Sequence, residues 1–180
     1  QIEELRSRLE TLEALEQFVP HTQRIDSALA LGIDLIDLGN VPAVKIKQTS
    51  AQNFSTDVVT ELDFDTTVFD FAGGAADIAN DRLIARRSGI YLVMTMITMV
   101  ISASDTSATQ LVEIRVNNVS KHRGSRQDIS NEPGSYGVNA VSLLELKVGN
   151  IITSVAFQSS GFTRTAEVVG DTPCLEMILV

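Results

Sequence analysis

Side chains able to do acid–base, nucleophilic or metal chemistry are few in this 180-residue chain, and their spacing decides against most of it. The two histidines, His21 and His122, stand about a hundred positions apart. His21 follows Pro20 and reads as a solvated linker residue. His122 lies in Lys121-His122-Arg123-Gly124-Ser125-Arg126, a turn-rich basic patch between two strands. No serine sits in a nucleophile elbow that would make either histidine a catalytic base. Acid pairs for glycoside hydrolysis can be drawn from Asp57, Glu61, Asp63, Asp65 and Asp70. Glu61, Asp63 and Asp65 alternate as a solvated strand face does, so the pattern needs no catalysis to explain it. The Gly73-Gly74 pair lacks the lysine and hydroxyl of a phosphate loop and reads as a flexible connection. Cys174 is the only cysteine, which excludes an internal disulfide framework and a cysteine-built zinc site. No metal or cofactor is expected.

Charge narrows the partners. Fourteen Lys and Arg against 23 Asp and Glu give −9 at pH 7, which argues against nucleic acid. Residues 82–126 alone are positive, at +5, while 1–40, 41–81 and 127–180 carry −5, −5 and −4. Lys121, Arg123 and Arg126 concentrate that positive block. They read either as a solvated loop or as a site for an anionic surface polymer such as a glycan. The longest nearly apolar run, Gly89–Ile101, is 13 residues and includes Thr95 and Thr98, whereas a membrane helix needs about 20. A soluble protein without membrane insertion is expected, and a chain opening on Gln1 reads as a fragment or processed product.

Two regimes must position these residues. From Gln1 to about Asn40, Ile2, Leu5, Leu9 and Leu12 keep the alternating three- and four-residue spacing of a coiled-coil seam, with charges on the remaining faces. Pro20 ends this helix, which would span roughly 27 Å. Ala28, Leu31, Leu35 and Leu38 repeat the spacing further on. Residues 1–40 are therefore expected as a helical coiled-coil stem and linker. A single helix packed on its own domain is the other reading.

From Val41 onward the pattern is β. Candidate strands are Val44–Thr49, Val58–Phe64, Arg82–Ala85, Gly89–Ser102, Thr109–Val116, Val138–Leu146, Ile151–Phe157 and Leu175–Leu179, separated by turn residues such as Asn117-Asn118 and Gly149-Asn150. Many short strands without a helical period make an antiparallel sandwich or barrel over 41–180. In the central run both alternating sets are apolar: Tyr91, Val93, Ile97 and Met99 on one side, Leu92, Met94 and Met96 on the other. A sheet with one wet face would alternate apolar with polar. Either the strand lies at the middle of the core or another subunit covers it, and the pattern does not say which side is which.

The residues Asn53-Phe-Ser55, Val58 to Phe64, Phe69-Asp70, Asp81-Arg-Leu-Ile-Ala85 and Ser88-Gly-Ile-Tyr-Leu-Val93, in that order, resemble the C1q/TNF-like domain. Gly89 and Tyr91 match its Gly-x-Tyr strand start, Leu146-Lys-Val-Gly149 its lead into a later strand with Asn150 in place of Asp, and Phe157-Gln158 with Ser160-Gly161 a strand exit. The likeness covers about Ala43 to Val180 and is greatest to the versions on bacteriophage structural proteins. It implies a ten-strand jelly roll in a compact homotrimer, with Gly89–Ile101 near the three-fold axis. Tyr91, Val93, Met94, Met96, Ile97 and Met99 would then be packing residues of the core and trimer. The collagen-like Gly-x-y repeat of most secreted animal members does not occur in the sequence, and a coiled-coil stem takes its place.

The reading that follows is a non-enzymatic virion protein: a bacteriophage fibre or capsid-decoration subunit. Its stem would join other virion proteins, and its head would attach to a host-surface glycan. A secreted C1q-like recognition module of a cell shares the same physics, and a glycan-degrading enzyme is the third class.

Overall fold

The computed structural model describes residues 41–101, 108–128, 134–168, 170 and 172–180, which belong to one compact unit, Val41–Val180. The stem seam of Ile2, Leu5, Leu9 and Leu12 lies outside the described residues.

Thirteen strand segments occur among the described residues, four of them only two residues long, where the family resemblance implied ten. They are β1 (Ala43–Lys47), β2 (Asn53–Phe54), β3 (Thr60–Glu61), β4 (Thr66–Asp70), β5 (Ala76–Asp77), β6 (Arg82–Ile84), β7 (Gly89–Ile101), β8 (Ala108–Val116), β9 (Val119–Asp128), β10 (Gly134–Leu146), β11 (Ile151–Gln158), β12 (Arg164–Thr165) and β13 (Cys174–Leu179). Every pairing is antiparallel. One sheet runs β10-β7-β13-β1-β4; the other runs β5-β6-β11-β8-β9, with β3 beside β11; β12 and β2 form a small ribbon.

The period-two pattern places the core. In β1, Val44 and Ile46 point inward while Ala43, Lys45 and Lys47 point out. Tyr91, Val93, Thr95, Ile97 and Met99 of β7 are all fully buried, together with Leu175 and Met177 of β13. They meet Val112, Ile114 and Val116 of β8 and Ile152 and Ala156 of β11 across the sandwich. Thr95 sits among these apolar groups because it is satisfied. Its hydroxyl donates to Cys174 O at 3.0 Å and pairs with Ser154 Oγ at 2.8 Å, a hydrogen bond that ties one sheet to the other.

Three sequence expectations need correction. The candidate strand Val58–Phe64 is only Thr60–Glu61, with Val58 and Val59 exposed. The chain turns at Asp57, whose φ is 58°, and the strand resumes at Thr66. The basic patch 121–126 is no loop but the middle of β9. Asn117 and Asn118, at φ 51° and 64°, form a two-residue hairpin turn of the kind asparagine favours, and it feeds β8 directly into β9. The Gly73-Gly74 connection is an ordered turn. Both residues have positive φ, and the Asp70 carboxylate accepts hydrogen bonds from the Ala72, Gly74 and Ala76 amides.

One glycine lets two strands of different sheets come together. A Cβ on Gly124 of β9 would lie 1.7 Å from Asn139 O of β10, a backbone atom that cannot swing aside. Gly124→Ala is expected to cost about 3 kcal/mol or more by forcing the two strands apart. Gly73→Ala, which meets no atom within 4 Å, should cost only about 1 kcal/mol for its positive φ. Denaturant unfolding of the two variants checks this, and equal losses would refute it.

Candidate functional site

The feature with most to explain is the outer face of the five-stranded sheet. Side chains of β7 that do not enter the core are Ile90, Leu92, Met94, Met96, Thr98 and Val100. Ile90, Leu92 and Val100 are exposed, and Met94 and Met96 are half-buried. Strand register extends this stripe sideways. Leu92 lies between Ile178 of β13 and Leu143 of β10, and Ile178 lies beside Ala43 of β1. The next row runs Phe69, Lys45, Glu176, Met94, Val141. Lys45 and Glu176 pair at 3.8 Å with most of both side chains already covered, so their charges cancel inside the apolar field. With strands about 4.8 Å apart and about 3.4 Å per residue, these two rows reach roughly 20 Å across the sheet and about 7 Å along it. A contiguous exposed apolar row of this kind marks a candidate interaction surface.

Of the proposed packing residues, Tyr91, Val93, Ile97 and Met99 are thus core, while Met94 and Met96 face outward. Leu143, 64% exposed, and Ile178 belong to the same face and were not singled out from sequence. Val141 and Leu143 share a parity opposite to buried Val138 and Ala140, and that alternation could have found them.

The basic strand is partly self-neutralised. Glu113 of β8 points away from the core yet is only 2% exposed, because arginines lie over it. Arg115 Nε donates to its Oε1 at 2.7 Å, and Arg123 Nη2 to its Oε2 at 2.7 Å. Arg123 is therefore committed. Lys121 is exposed and lines an open cleft of about 430 Å³ with Val119, Leu143 and Glu145. The Arg126 side chain lies outside the described residues. His122 is exposed on β9 opposite Ile114.

The acidic candidates divide into satisfied and strained groups. Asp65 accepts from the Thr49 and Ser50 amides and from the Thr49 and Thr66 hydroxyls. Asp77 accepts from Asn80 and Arg82. Burial raises the Asp65 pKa, but the hydrogen bonds outweigh it and hold the group below the usual aspartate range. Hydrogen bonds from Asn80 and Arg82 do the same for Asp77. Burial likewise works against the Glu113 carboxylate, but donors on Arg115, Arg123 and Ser120 win and hold it low. Glu61 and Asp63 go the other way, raised by burial and then by the neighbouring Asp81 charge. No group of three or more metal-ligating side chains gathers among the described residues, and no helix there is long and apolar enough to cross a membrane.

These directions set a pH dependence. Glu61 and Asp63 hold protons more tightly folded than unfolded, so stability should rise as pH falls through their raised range toward that of ordinary carboxylates. Glu113, Asp65 and Asp77 hold them less tightly, so their contribution is present above the ordinary carboxylate range and lost as pH falls below about 4. A melting temperature peaking in mild acid is expected, and Asp81→Asn should flatten its neutral limb. A monotonic rise from pH 4 to 8 would refute the assignment.

No protein-family model and no curated protein matches the sequence. Solved structures do match the fold. Eiger TNF from S. frugiperda superposes with a TM-score of 0.58 at 12% identity, over 78% of this chain and 93% of that one. Murine APRIL gives 0.57 at 15%, over 78% and 99%. The globular domain of zebrafish complement 1qA protein gives 0.51 at 13%, over 77% and 97%. At such identities the likeness speaks for architecture alone, and that architecture is the TNF/C1q-type jelly roll.

Proposed function

We propose that the chain is a non-catalytic, self-associating jelly-roll module in which three copies bury the outer face of the β10-β7-β13-β1-β4 sheet. The observation carrying this reading is the contiguous row Ala43, Ile178, Leu92, Leu143 on an otherwise water-facing sheet. Apolar surface of that extent gains about 25 cal/mol per Å² when covered, and the C1q/TNF-like resemblance supplies three as the copy number. Light scattering at low micromolar concentration should give about three times the 19.5 kDa chain mass. A monomer would overturn the proposal.

The setting we propose is a virion, with the chain a fibre or decoration subunit held to other virion proteins by its N-terminal seam. What supports this is the coiled-coil spacing of Ile2, Leu5, Leu9 and Leu12 in a sequence without a Gly-x-y repeat. Attachment to an anionic host-surface glycan would fall to Lys121 and Arg126, with Arg123 tied to Glu113 and three-fold repetition adding avidity. The likeness to Eiger, APRIL and complement 1qA is equally consistent with the second reading, a secreted recognition module of cellular origin. A gene lying among capsid and tail genes is expected under the first reading; one among genes for secreted cellular proteins would overturn it.

A further inference from the structure

The open cleft of about 430 Å³ beside the β8–β9 hairpin holds more polar chemistry than Lys121 alone, for Asn117 and Asn150 line it as well. The two are neighbours. Asn117 N donates to Ile151 O at 2.8 Å, and Ile151 N returns a bond to Asn117 Oδ1 at 2.9 Å. Asn150 Oδ1 accepts from Lys147 N at 2.8 Å. Each side-chain oxygen thus faces a backbone N–H, which fixes the orientation of both amides. Their Nδ2 groups take no partner among the described residues. Both are within reach of a ligand. Asn117 is exposed, and Asn150, though half-buried, has no unpaired polar atom shut away from solvent.

The strands on either side add one charge each. Lys121 sits at a β-bulge: pairing of β9 to β8 passes from Ile114–His122 to Arg115–Ser120 and skips it. Its ammonium joins neither the Glu113–arginine cluster nor any other ion pair among the described residues. Glu145, exposed on the β10 wall, is equally unpaired. Val119, also exposed, supplies apolar ground between them. Asn117, Asn150 and Lys121 do not belong to the apolar row Ala43, Ile178, Leu92, Leu143, so covering that row does not use these donors.

We propose that this cleft binds an acidic sugar, a pyranose ring bearing one carboxylate. Lys121 Nζ pairs with the carboxylate, the two Nδ2 groups donate to its oxygens and to ring hydroxyls, and Glu145 accepts from a further hydroxyl. The inference rests on the reading of the head as a binder of anionic surface glycan, and it names the unit recognised and the groups that recognise it. Glu145 offsets the charge of Lys121, so a bare anion such as phosphate gains little here. A neutral sugar leaves Lys121 without its counter-charge. A ring with one carboxylate and several hydroxyls satisfies all four groups. The cleft volume lies within the range of about 300–1,000 Å³ usual for small-molecule sites. Uronic acids and sialic acids carry the same carboxylate on such a ring.

The test titrates the full chain, by ligand-observed NMR, with methyl glucuronide and with the methyl glycoside of N-acetylneuraminic acid. Methyl glucoside, acetate and N-acetyl-aspartate amide serve as comparators. At least one acidic sugar is expected to bind about tenfold or more tighter than all three, the gain of one charge-assisted hydrogen bond. The tighter of the two identifies the source. Asn117→Asp and Asn150→Asp keep the oxygen that the backbone N–H needs and replace the donor. Both should therefore fold as the parent chain does and lose about tenfold or more in affinity. Lys121→Met should lose as much toward the acidic sugar and nothing toward methyl glucoside. The proposal is overturned if neither acidic sugar outbinds the comparators, or if the three variants bind it unchanged. Hyaluronan bound equally by the parent chain and the variants would overturn this site and leave the glycan reading standing. Failure of hyaluronan and both sugars to bind at all would end both.

Discussion

Val93→Asp is expected to leave no folded protein. Val93 is fully buried on the inward face of β7, opposite Met177 and Ser142 in register. A carboxylate there joins the buried apolar cluster that also holds Val112, Ile114 and Ile152. Leaving a charge so placed costs several kcal/mol even after it takes up a proton. Domains of this size hold only about 5–15 kcal/mol in total. Circular dichroism of refolded material should lack the β signal, and a soluble variant melting at the wild-type temperature would contradict the core assignment.

The residue before it should behave in the opposite way. Leu92→Asp places its charge on the outer face, in the middle of the row from Ala43 to Leu143. Leu92 is 37% exposed in the single chain, so the carboxylate stays hydrated and the sandwich keeps its core. Association is what suffers. In the proposed trimer a central interface side chain would be worth about 2–4 kcal/mol, and three-fold symmetry would remove it three times per assembly. The expected product is a folded monomer of about 19.5 kDa with a lower, concentration-independent melting temperature. A Leu92→Asp protein that still scatters as a trimer would move the interface elsewhere. Adjacent residues with opposite outcomes follow from the two-residue period of a strand.

How much of this was legible in the chain depends on whether the signal was local. The long strands were, because Val44, Ile46 and the Tyr91–Met99 series carry alternation in their own residues. The doubly apolar character of β7 was visible too, but not which set faces in, since that is decided by strands β8 and β11 some twenty to sixty positions away. Strand β9 was hidden because Lys121–Asp128 has no apolar residue. It is held by the Asn117-Asn118 turn and by backbone pairing to β8. Its chemistry was hidden for the same reason: Arg123 looks like a free cation until the hairpin register sets it opposite Glu113. Asp81 was noticed only as part of a family-like motif, and nothing near it in sequence connects it to Asp63.

The pairing of β1 with β13 carries a consequence for how the chain is made. Ala43 lies opposite Ile178, so the second partner of β7 and β1 in this sheet is the last of its five strands to be translated. Until then β1 can pair only with β4, and β7 has one open edge beside an apolar face on each side. Closing a connection of more than a hundred residues costs only slightly more than closing one half as long, since the entropy grows with the logarithm of length. Waiting is the greater hazard. A nascent strand as apolar as Gly89–Ile101, unpaired on one edge, is a template for another chain. Copies emerging together on one message meet this hazard at the moment when association of their finished heads also becomes possible. Productive assembly and aggregation therefore compete within the interval it takes to translate β8 through β13, and slower elongation over that stretch should lower the yield of native protein.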